Sequence, residues 1–451
     1  MTEELTLTYI EELRSSFRSD SNNRVLQNAL SKNDIREMAI NRNQVSIEKN
    51  IFSNQVEPRV AVTNQKSSGR CWMFAALNVL RREVIKKYNL PNDFELSQTY
   101  LFFWDKLERM NYNLECIIQT ADRNIDDRTV STILNDPVAD GGQWDMFVNL
   151  IKKYGIVPKS VYGETFHSSN SAAMNALFKT KFRQTAIYIR DMLKKENGIE
   201  YARNCKHEFN QFVFNTLCKL LGTPPNNFVW EYVDKSKQYQ RLYINSPQEF
   251  FRDVVSVNLD DYVCIINDPR SDHEYYKLYT VEFLGNVFGG QPIRYLNVPI
   301  EVMENVTLAS LMDNNVVWFG CDVGKERLDE IMSLDIKQYG DLLNTSFNMT
   351  KEERLKTGES QMTHAMVFSG FNLIDSNGQK IVTRWEVENS WGKKAETNGY
   401  YIMTDDWFHE YMYEVVVHKK YATQHILDSL ASTEVTVLPL WDPMGALAKN
   451  L

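Results

Sequence analysis

A polar loop that runs directly into an apolar helix, at residues 64–88, constrains this chain more than any other feature. The helical pattern begins at Cys71, close to the unpaired N–H groups and the positive end of the helix dipole. Both favour a thiolate, so the position predicts a lowered cysteine pKa. Gln65 can fold back beside the sulfur, where its amide and the N–H of Cys71 would form two oxyanion donors. The alternative is a buried cysteine that packs as a small apolar side chain.

A second stretch supplies the groups that a nucleophilic cysteine needs. Two apolar runs joined by Asn377-Gly378 predict a β-hairpin. In the register of an Asn377-Gly378 turn, His364 and Asn389 share a face one diagonal step apart, and with the turn one residue earlier they face each other. Asn389 can then accept the imidazole N–H and fix the tautomer, while Trp391 shields the bond from water. A lone histidine would more simply be a satisfied core residue.

A Gly-Gly pair precedes another helical pattern, in the run Asp140-Gly141-Gly142-Gln143-Trp144. Glycines let one backbone approach another closely, which suits an extended substrate that pairs with the enzyme as an extra strand. Gly141 and Gly142 are therefore candidate substrate-binding residues. The plainer alternative is a helix-entry loop.

Length and composition exclude several classes of protein. The 451 residues exceed what one compact core usually holds, so we expect a catalytic domain with a large insertion or a second domain. The net charge of −9 argues against a surface built for nucleic acid. Six scattered cysteines fit neither a zinc spacing nor a disulfide framework, and the sequence has no signal-peptide core and no run of transmembrane length. We expect a cytoplasmic protein without a membrane partner.

Composition and periodicity divide the chain into five segments. The expected segments are a helical extension packed on the core, a stretch with the helix that begins at Cys71, a mostly helical insertion for access or assembly, a stretch with the predicted hairpin, and a C-terminal stretch; they span residues 1–50, 51–167, 168–300, 301–430 and 431–451. Within the insertion, strand patterns occur at 228–233 and 262–266. An inhibitory pro-segment is the alternative interpretation of the first segment.

The motif Gly69-x-Cys71-Trp72 resembles the local signature of papain-like cysteine proteases, although Ser68 and Arg70 depart from it. Gln65, Cys71, His364 and Asn389 follow the papain order, but the Cys–His separation is much longer than that signature expects. A papain-like core with a large insertion resembles the bleomycin hydrolase and bacterial aminopeptidase C family. Further matching runs support this: residues 60–65, 140–144, 154–159, 222–225, 385–392 and 441–448.

The resemblance implies an α+β fold with a two-lobed papain-like core, in which residues 51–167 form the lobe with the nucleophile helix and residues 301–430 the lobe with the His/Asn hairpin. It also implies that residues 431–451 form a C-terminal arm in the cleft. It implies a thiol aminopeptidase that acts on peptides through Cys71, His364 and Asn389, needs no metal or organic cofactor, and assembles as a homohexameric ring. The resemblance also implies bleomycin-like amides as a further substrate class. The arm places Ala448 among the substrate-binding residues, beside Gly141, Gly142 and Trp391. Because three residues follow Ala448, we also expect the enzyme to trim its own tail after Ala448 or Lys449.

Two other functions remain open at this point. One is an endopeptidase held latent by residues 1–50. The other is a ring-shaped scaffold that binds nucleic acid, which the acidic composition disfavours and which a salt titration of DNA binding would detect.

Overall fold

The computed structural model describes residues 4–394 and 397–449. Its helices are numbered in chain order: α1 Leu7–Ser19, α2 Ser21–Leu30, α3 Ile35–Met38, α4 Arg42–Ile47, α5 Cys71–Tyr88, α6 Gln98–Gln119, α7 Arg128–Asn135, α8 Trp144–Tyr154, α9 Phe166–Ser169, α10 Ala172–Leu193, α11 Gly198–Leu221, α12 Pro247–Glu249, α13 Ile300–Met312, α14 Tyr339–Leu343, α15 Lys351–Thr357, α16 Asp405–Tyr411 and α17 Gln424–Leu430. Short 3₁₀ helices lie at Leu259–Asp261, Lys419–Tyr421 and Pro443–Ala448, and a π-helical turn at Phe250–Val255.

The strands are numbered in the same way. They are β1 Asn54–Gln55, β2 Phe228–Val233, β3 Tyr239–Ile244, β4 Tyr262–Ile266, β5 Leu278–Val281, β6 Tyr295–Asn297, β7 Val317–Cys321, β8 Arg327–Leu328, β9 Ile331–Met332, β10 His364–Ser376, β11 Gln379–Glu388, β12 Tyr400–Thr404, β13 Met412–His418 and β14 Val435–Leu438.

Helix α5 is the centre of the helical lobe. Its residues are buried on nearly every side, which is typical of a helix enclosed by its own protein. Helices α6 and α8 pack beside it. Ser97 caps α6 by accepting a hydrogen bond from the N–H of Tyr100 at 3.1 Å.

One large mixed sheet forms the other lobe. Its strand order is β14-β5-β6-β4-β13-β7-β10-β11-β12-β9-β8, and β1 pairs with β10 outside this path. The indole N–H of Trp318 on β7 donates to the carbonyl of Trp72 on α5 at 3.1 Å. The sheet and the nucleophile helix therefore meet where β10 begins, at His364. The α+β class is confirmed.

The segment at 168–300 is helical only in its first half. Helices α10 and α11 form a hairpin that packs on α6. The predicted strands at 228–233 and 262–266 are confirmed as β2 and β4. Strands β4, β5 and β6 then join the main sheet through β13, so this half belongs to the sheet lobe and not to an insertion. The pairing partner of β4 lies about 150 residues further along the chain, which local patterns do not reveal.

The N-terminal segment touches the core only near its end. Helices α1 and α2 have no buried residue. Attachment begins at the buried Ala39, whose carbonyl accepts a hydrogen bond from Gln338, and at the bridge between Ile40 and Lys337. The expected packing of this whole segment on the core is therefore wrong for α1 and α2, whose apolar side chains remain exposed in the single chain. In the described ranges, no helix has the length and apolar character needed to cross a membrane.

Candidate active site

Cys71 is the first residue of α5 and lines a cavity of about 370 Å³ between the two lobes. His364 lines the same cavity from the start of β10. The structure thus brings together a thiol and an imidazole that lie far apart in sequence. The rest of the wall comes from two loops and from the C-terminal arm: Gln65, Gly69, Gly141, Gln361, Thr363, Ala446, Leu447 and Lys449.

The histidine is held by the predicted asparagine. His364 Nε2 lies 3.0 Å from Asn389 Oδ1. The same oxygen accepts the backbone N–H of Ser390 at 2.7 Å, which identifies it as oxygen because an N–H only donates. Nε2 of His364 must then carry the proton, and Nδ1 remains free to exchange a proton with the thiol.

The hairpin register is the first of the two that the sequence allows. Ser376 pairs with Gln379, so Asn377 and Gly378 form the turn, and both have positive φ. Two register shifts interrupt the ladder, near Asn372 and near Gly370, and the second cancels the first. The pairing close to the site therefore follows the register set at the turn, and His364 and Asn389 meet as predicted.

Gln65 lies in the cavity wall with its side chain fixed in one orientation. Its Nε2 donates to the Ser68 carbonyl at 2.7 Å, and its Oε1 accepts the hydroxyl of Ser390 at 2.6 Å. A carbonyl only accepts, so the atom of Gln65 that contacts it must be the amide nitrogen Nε2. One N–H of Nε2 makes this hydrogen bond, and the other is left for a second acceptor. Together with the first N–H groups of α5, it is a candidate donor to a developing oxyanion.

A buried ion pair shapes the loop opposite Cys71. Asp140 lies 2.6 Å from Lys106 Nζ, and it also accepts the backbone N–H of Gly69 at 3.1 Å. The indole N–H of Trp72 donates to the carbonyl of Asp140 at 2.8 Å. Lys106, followed by hydroxyl and amide donors, holds the pKa of Asp140 well below its ordinary value despite burial, which keeps the carboxylate charged. These bonds thereby fix the loop at residue 140 against the start of α5, next to the nucleophile.

The two glycines of this loop face different neighbours. A Cβ on Gly141 would collide with the carbonyl of Leu447, so the backbone of the C-terminal arm lies directly against it. A Cβ on Gly142 would collide with the indole of Trp72. Gly141 thus lies against the backbone of the arm, whereas Gly142 makes room for Trp72, and a substrate-binding role for these two glycines stays a prediction.

The C-terminal arm runs into the cavity. Its 3₁₀ turn buries all residues from Met444 to Ala448, and Arg109 donates to the carbonyls of both Ala448 and Gly141, at 3.3 and 2.6 Å. Arg109 itself is paired with Asp105 on the same helix at 3.0 Å. The arm therefore rests on a fixed cationic support. The predicted trimming concerns a tail whose last two residues lie outside the described part of the chain.

Trp391 covers the imidazole, as expected. Its ring centroid lies 4.7 Å from that of His364. The guanidinium carbon of Arg327 lies over the indole ring of Trp391, 5.2 Å from its centroid. The indole thus excludes water from one side of the His364–Asn389 hydrogen bond.

Burial dominates the ionisation of the reacting groups while the arm forms part of the cavity wall. Burial raises the pKa of the Cys71 thiol to about 11, although the N–H groups of Ala365, Trp72 and Cys71 act in the opposite direction. Burial lowers the pKa of His364 to about 4, against the hydrogen bond to Asn389. The predicted lowering of the cysteine pKa is therefore wrong for this closed state, because the helix terminus does not compensate for the loss of water.

Sequence reasoning missed a buried clamp behind the site. Glu388, the residue before Asn389, accepts hydrogen bonds from Arg81 and Arg82 of α5, each at 2.7 Å. All three side chains are buried. The clamp joins the helix that carries Cys71 to the strand end that carries Asn389. Two adjacent arginines directly after the apolar run of this helix were the available signal.

Comparisons with known proteins agree with this geometry. The sequence profile of the Peptidase C1-like family matches residues 4–445. Aminopeptidase C of Listeria innocua is 41% identical over 99% of this chain and 100% of its own length. Human bleomycin hydrolase is 40% identical over 98% of each chain. The crystal structure of PepW from Lactobacillus rhamnosis HN001 superposes with a TM-score of 0.94 at 42% identity, covering 99% of this chain and 100% of that one. The chain therefore belongs to the peptidase C1-like family of cysteine peptidases.

Proposed function

We propose that this protein is a thiol aminopeptidase that removes N-terminal residues from peptides. The observation that carries the proposal is the backbone of Leu447 against Gly141, in the same cavity as Cys71 and His364. A substrate cleaved at an internal bond would need that side of the cleft for the part of its chain that precedes the scissile bond. The arm blocks this continuation, which favours short N-terminal stretches over internal peptide bonds. The aminopeptidase C and bleomycin hydrolase relatives are named for activities of this kind.

The reaction follows from the groups around the cavity. His364 Nδ1 takes the thiol proton as Cys71 Sγ attacks the scissile carbonyl carbon, and the oxyanion accepts hydrogen bonds from Gln65 Nε2 and the N–H of Cys71. His364 then gives the proton to the leaving nitrogen, so the shortened peptide departs as an amine and a thioester remains. A water molecule, deprotonated by His364, hydrolyses the thioester and releases the N-terminal residue. Asn389 keeps the imidazole in the tautomer that both steps need.

The arm, and not the N-terminal segment, is the obstruction in the cleft. None of the described residues before Gln65 lines the cavity, whereas Ala446, Leu447 and Lys449 do. This arrangement favours an aminopeptidase over an endopeptidase that residues 1–50 keep latent. We also propose a reducing, cytoplasmic location, which is supported by six free cysteines. Bleomycin-like amides are a second substrate class to assay, on the strength of the relatives' name.

Side-by-side hydrolysis of matched substrates tests the activity. An aminoacyl amide with a free ammonium and the same compound with an acetylated nitrogen differ only at the group that the closed end of the cleft would meet. We expect turnover of the first and at least a roughly hundredfold lower kcat/KM for the second, the usual loss when a buried charged partner is removed. Equal rates on both compounds would contradict the proposal.

We further propose that the chain assembles as a homohexamer, in part through the apolar face of α1. Tyr9, Leu13 and Phe17 recur every four residues on this helix, and about half of each side chain is exposed in the single chain. A contiguous apolar stripe of this kind is typical of a surface that another subunit covers. The family resemblance supports the number six.

Charge on this stripe should weaken the assembly. The double change Leu13→Asp and Phe17→Asp is expected to shift the mass measured by light scattering from that of a hexamer toward that of smaller species, because it places carboxylates in an apolar contact. Ser15→Asp is the control, since it adds a carboxylate on the opposite face of α1 and should leave the mass unchanged. A wild-type monomer at micromolar concentration would contradict the assembly itself.

A further inference from the structure

We propose that Glu304, Asp405 and His409 form a binding site for a divalent transition-metal ion, and that Zn²⁺ suits these donors best. The site lies where α13 meets α16, and none of its three residues lines the cavity that contains Cys71. The site is thus separate from the peptidase chemistry, and its proposed role is to fasten these two helices to each other.

The donor atoms have the spacing of metal ligands. His409 Nε2 lies 3.0 Å from Glu304 Oε2 and 3.9 Å from Asp405 Oδ2, and the three donor atoms lie within 4.8 Å of one another. Bonds of about 2.0–2.1 Å in a tetrahedral site place neighbouring ligand atoms about 3.4 Å apart. The two distances from His409 Nε2, 3.0 and 3.9 Å, lie just below and just above this spacing. An ion can therefore be seated by small side-chain rotations, with a fourth position left for water.

The elements that carry the donors favour such a site. Asp405 and His409 are four residues apart on α16, so their side chains lie on one face of the helix. Glu304 reaches them from α13, which places the third donor on a different element. An ion held by all three would link the two helices directly.

Groups outside the trio orient its donors. The indole N–H of Trp385 donates to Asp405 Oδ1 at 2.9 Å, which leaves Oδ2 directed at His409. Lys351 Nζ donates to the carbonyl of His409 at 3.1 Å and so fixes the backbone of that ligand. Hydrogen bonds to ligand groups of this kind are a regular part of protein metal sites.

The local charge also favours a cation. Across the described ranges, neither Glu304 nor Asp405 forms an ion pair with lysine or arginine, and His409 is the group that faces both. A third carboxylate, Glu301, lies one turn before Glu304 and acts on His409 as well. A bound dication would offset this excess of negative charge.

A simple ion pair between protonated His409 and Glu304 is the competing account, and Co²⁺ binding separates the two. The titration uses the Cys71→Ala protein, because the thiol would otherwise compete for metal. We expect one equivalent of Co²⁺ to give visible d–d absorption without a thiolate charge-transfer band, and Zn²⁺ to displace it. Glu304→Gln and His409→Gln should each weaken binding by about tenfold or more.

His207→Gln is the matched control, since this histidine is exposed on α11 and should not affect binding. The same three substitutions in the active protein should leave peptide hydrolysis unchanged, which verifies that each variant folds. Absence of d–d absorption would overturn the proposal. So would a thiolate charge-transfer band, or absorption that persists in both Glu304→Gln and His409→Gln.

Discussion

Replacement of Cys71 by alanine should lower peptide hydrolysis on the order of 10⁴-fold or more, the scale seen when a covalent nucleophile is removed. The thioester cannot form without the sulfur, and His364 is left without a nucleophilic side chain to activate. The fold should survive, because α5 begins without a side-chain cap and the change removes a single atom from a buried position. Steady-state rates on an aminoacyl substrate and thermal unfolding of both proteins measure the two effects separately.

Cys321→Ala is the matched control for this prediction. Cys321 is also fully buried, and its backbone pairs with that of His364 across β7 and β10. Its loss should cost stability through a small cavity while the rate stays within a few fold. If Cys71→Ala kept appreciable turnover, or if Cys321→Ala abolished it as completely, the assignment of the nucleophile would be wrong.

Removal of the chain from Gly445 onward should convert the aminopeptidase into an endopeptidase. The deletion takes away Leu447 and Ala448, which now lie against Gly141 and Arg109, and it opens the cleft to an extended chain on both sides of the scissile bond. N-blocked peptides and internal bonds of unfolded proteins should then be cleaved. Mass spectrometry of the products from a long peptide distinguishes stepwise release of N-terminal residues from internal cleavage.

The same deletion should change the reactivity of the thiol. Burial raises the pKa of Cys71 and lowers that of His364, so readmission of water should move both values back toward ordinary ones. The thiolate fraction at neutral pH then rises, and alkylation of Cys71 by iodoacetamide should be faster than in the full-length protein.

A chain that ends at Ala448 is the control for both effects. It keeps the arm against Gly141 and should keep both the requirement for a free N-terminus and the slow alkylation. If the protein shortened before Gly445 still rejects N-blocked peptides, the arm does not select the substrate.

The pairing of His364 with Asn389 could be predicted from the sequence because it depends on local rules. Side chains alternate along a strand, and an Asn-Gly turn sets the register of a hairpin. Two shifts in the ladder would have moved the pair apart had they not cancelled. The start of α5 at Cys71 and the strands β2 and β4 were predictable for the same reason, since each depends on neighbours in sequence.

Contacts between distant segments were decided by the tertiary structure alone. The clamp of Arg81 and Arg82 on Glu388, the support of the arm by Arg109, and the entry of β4 into the main sheet all join segments that no local pattern relates. The ionisation of the site residues was likewise decided by the tertiary structure. A helix terminus predicts a lowered pKa for Cys71, but the depth at which the fold buries that thiol determines the direction of the shift. Desolvation depends on everything packed around the sulfur and not only on its neighbours in sequence.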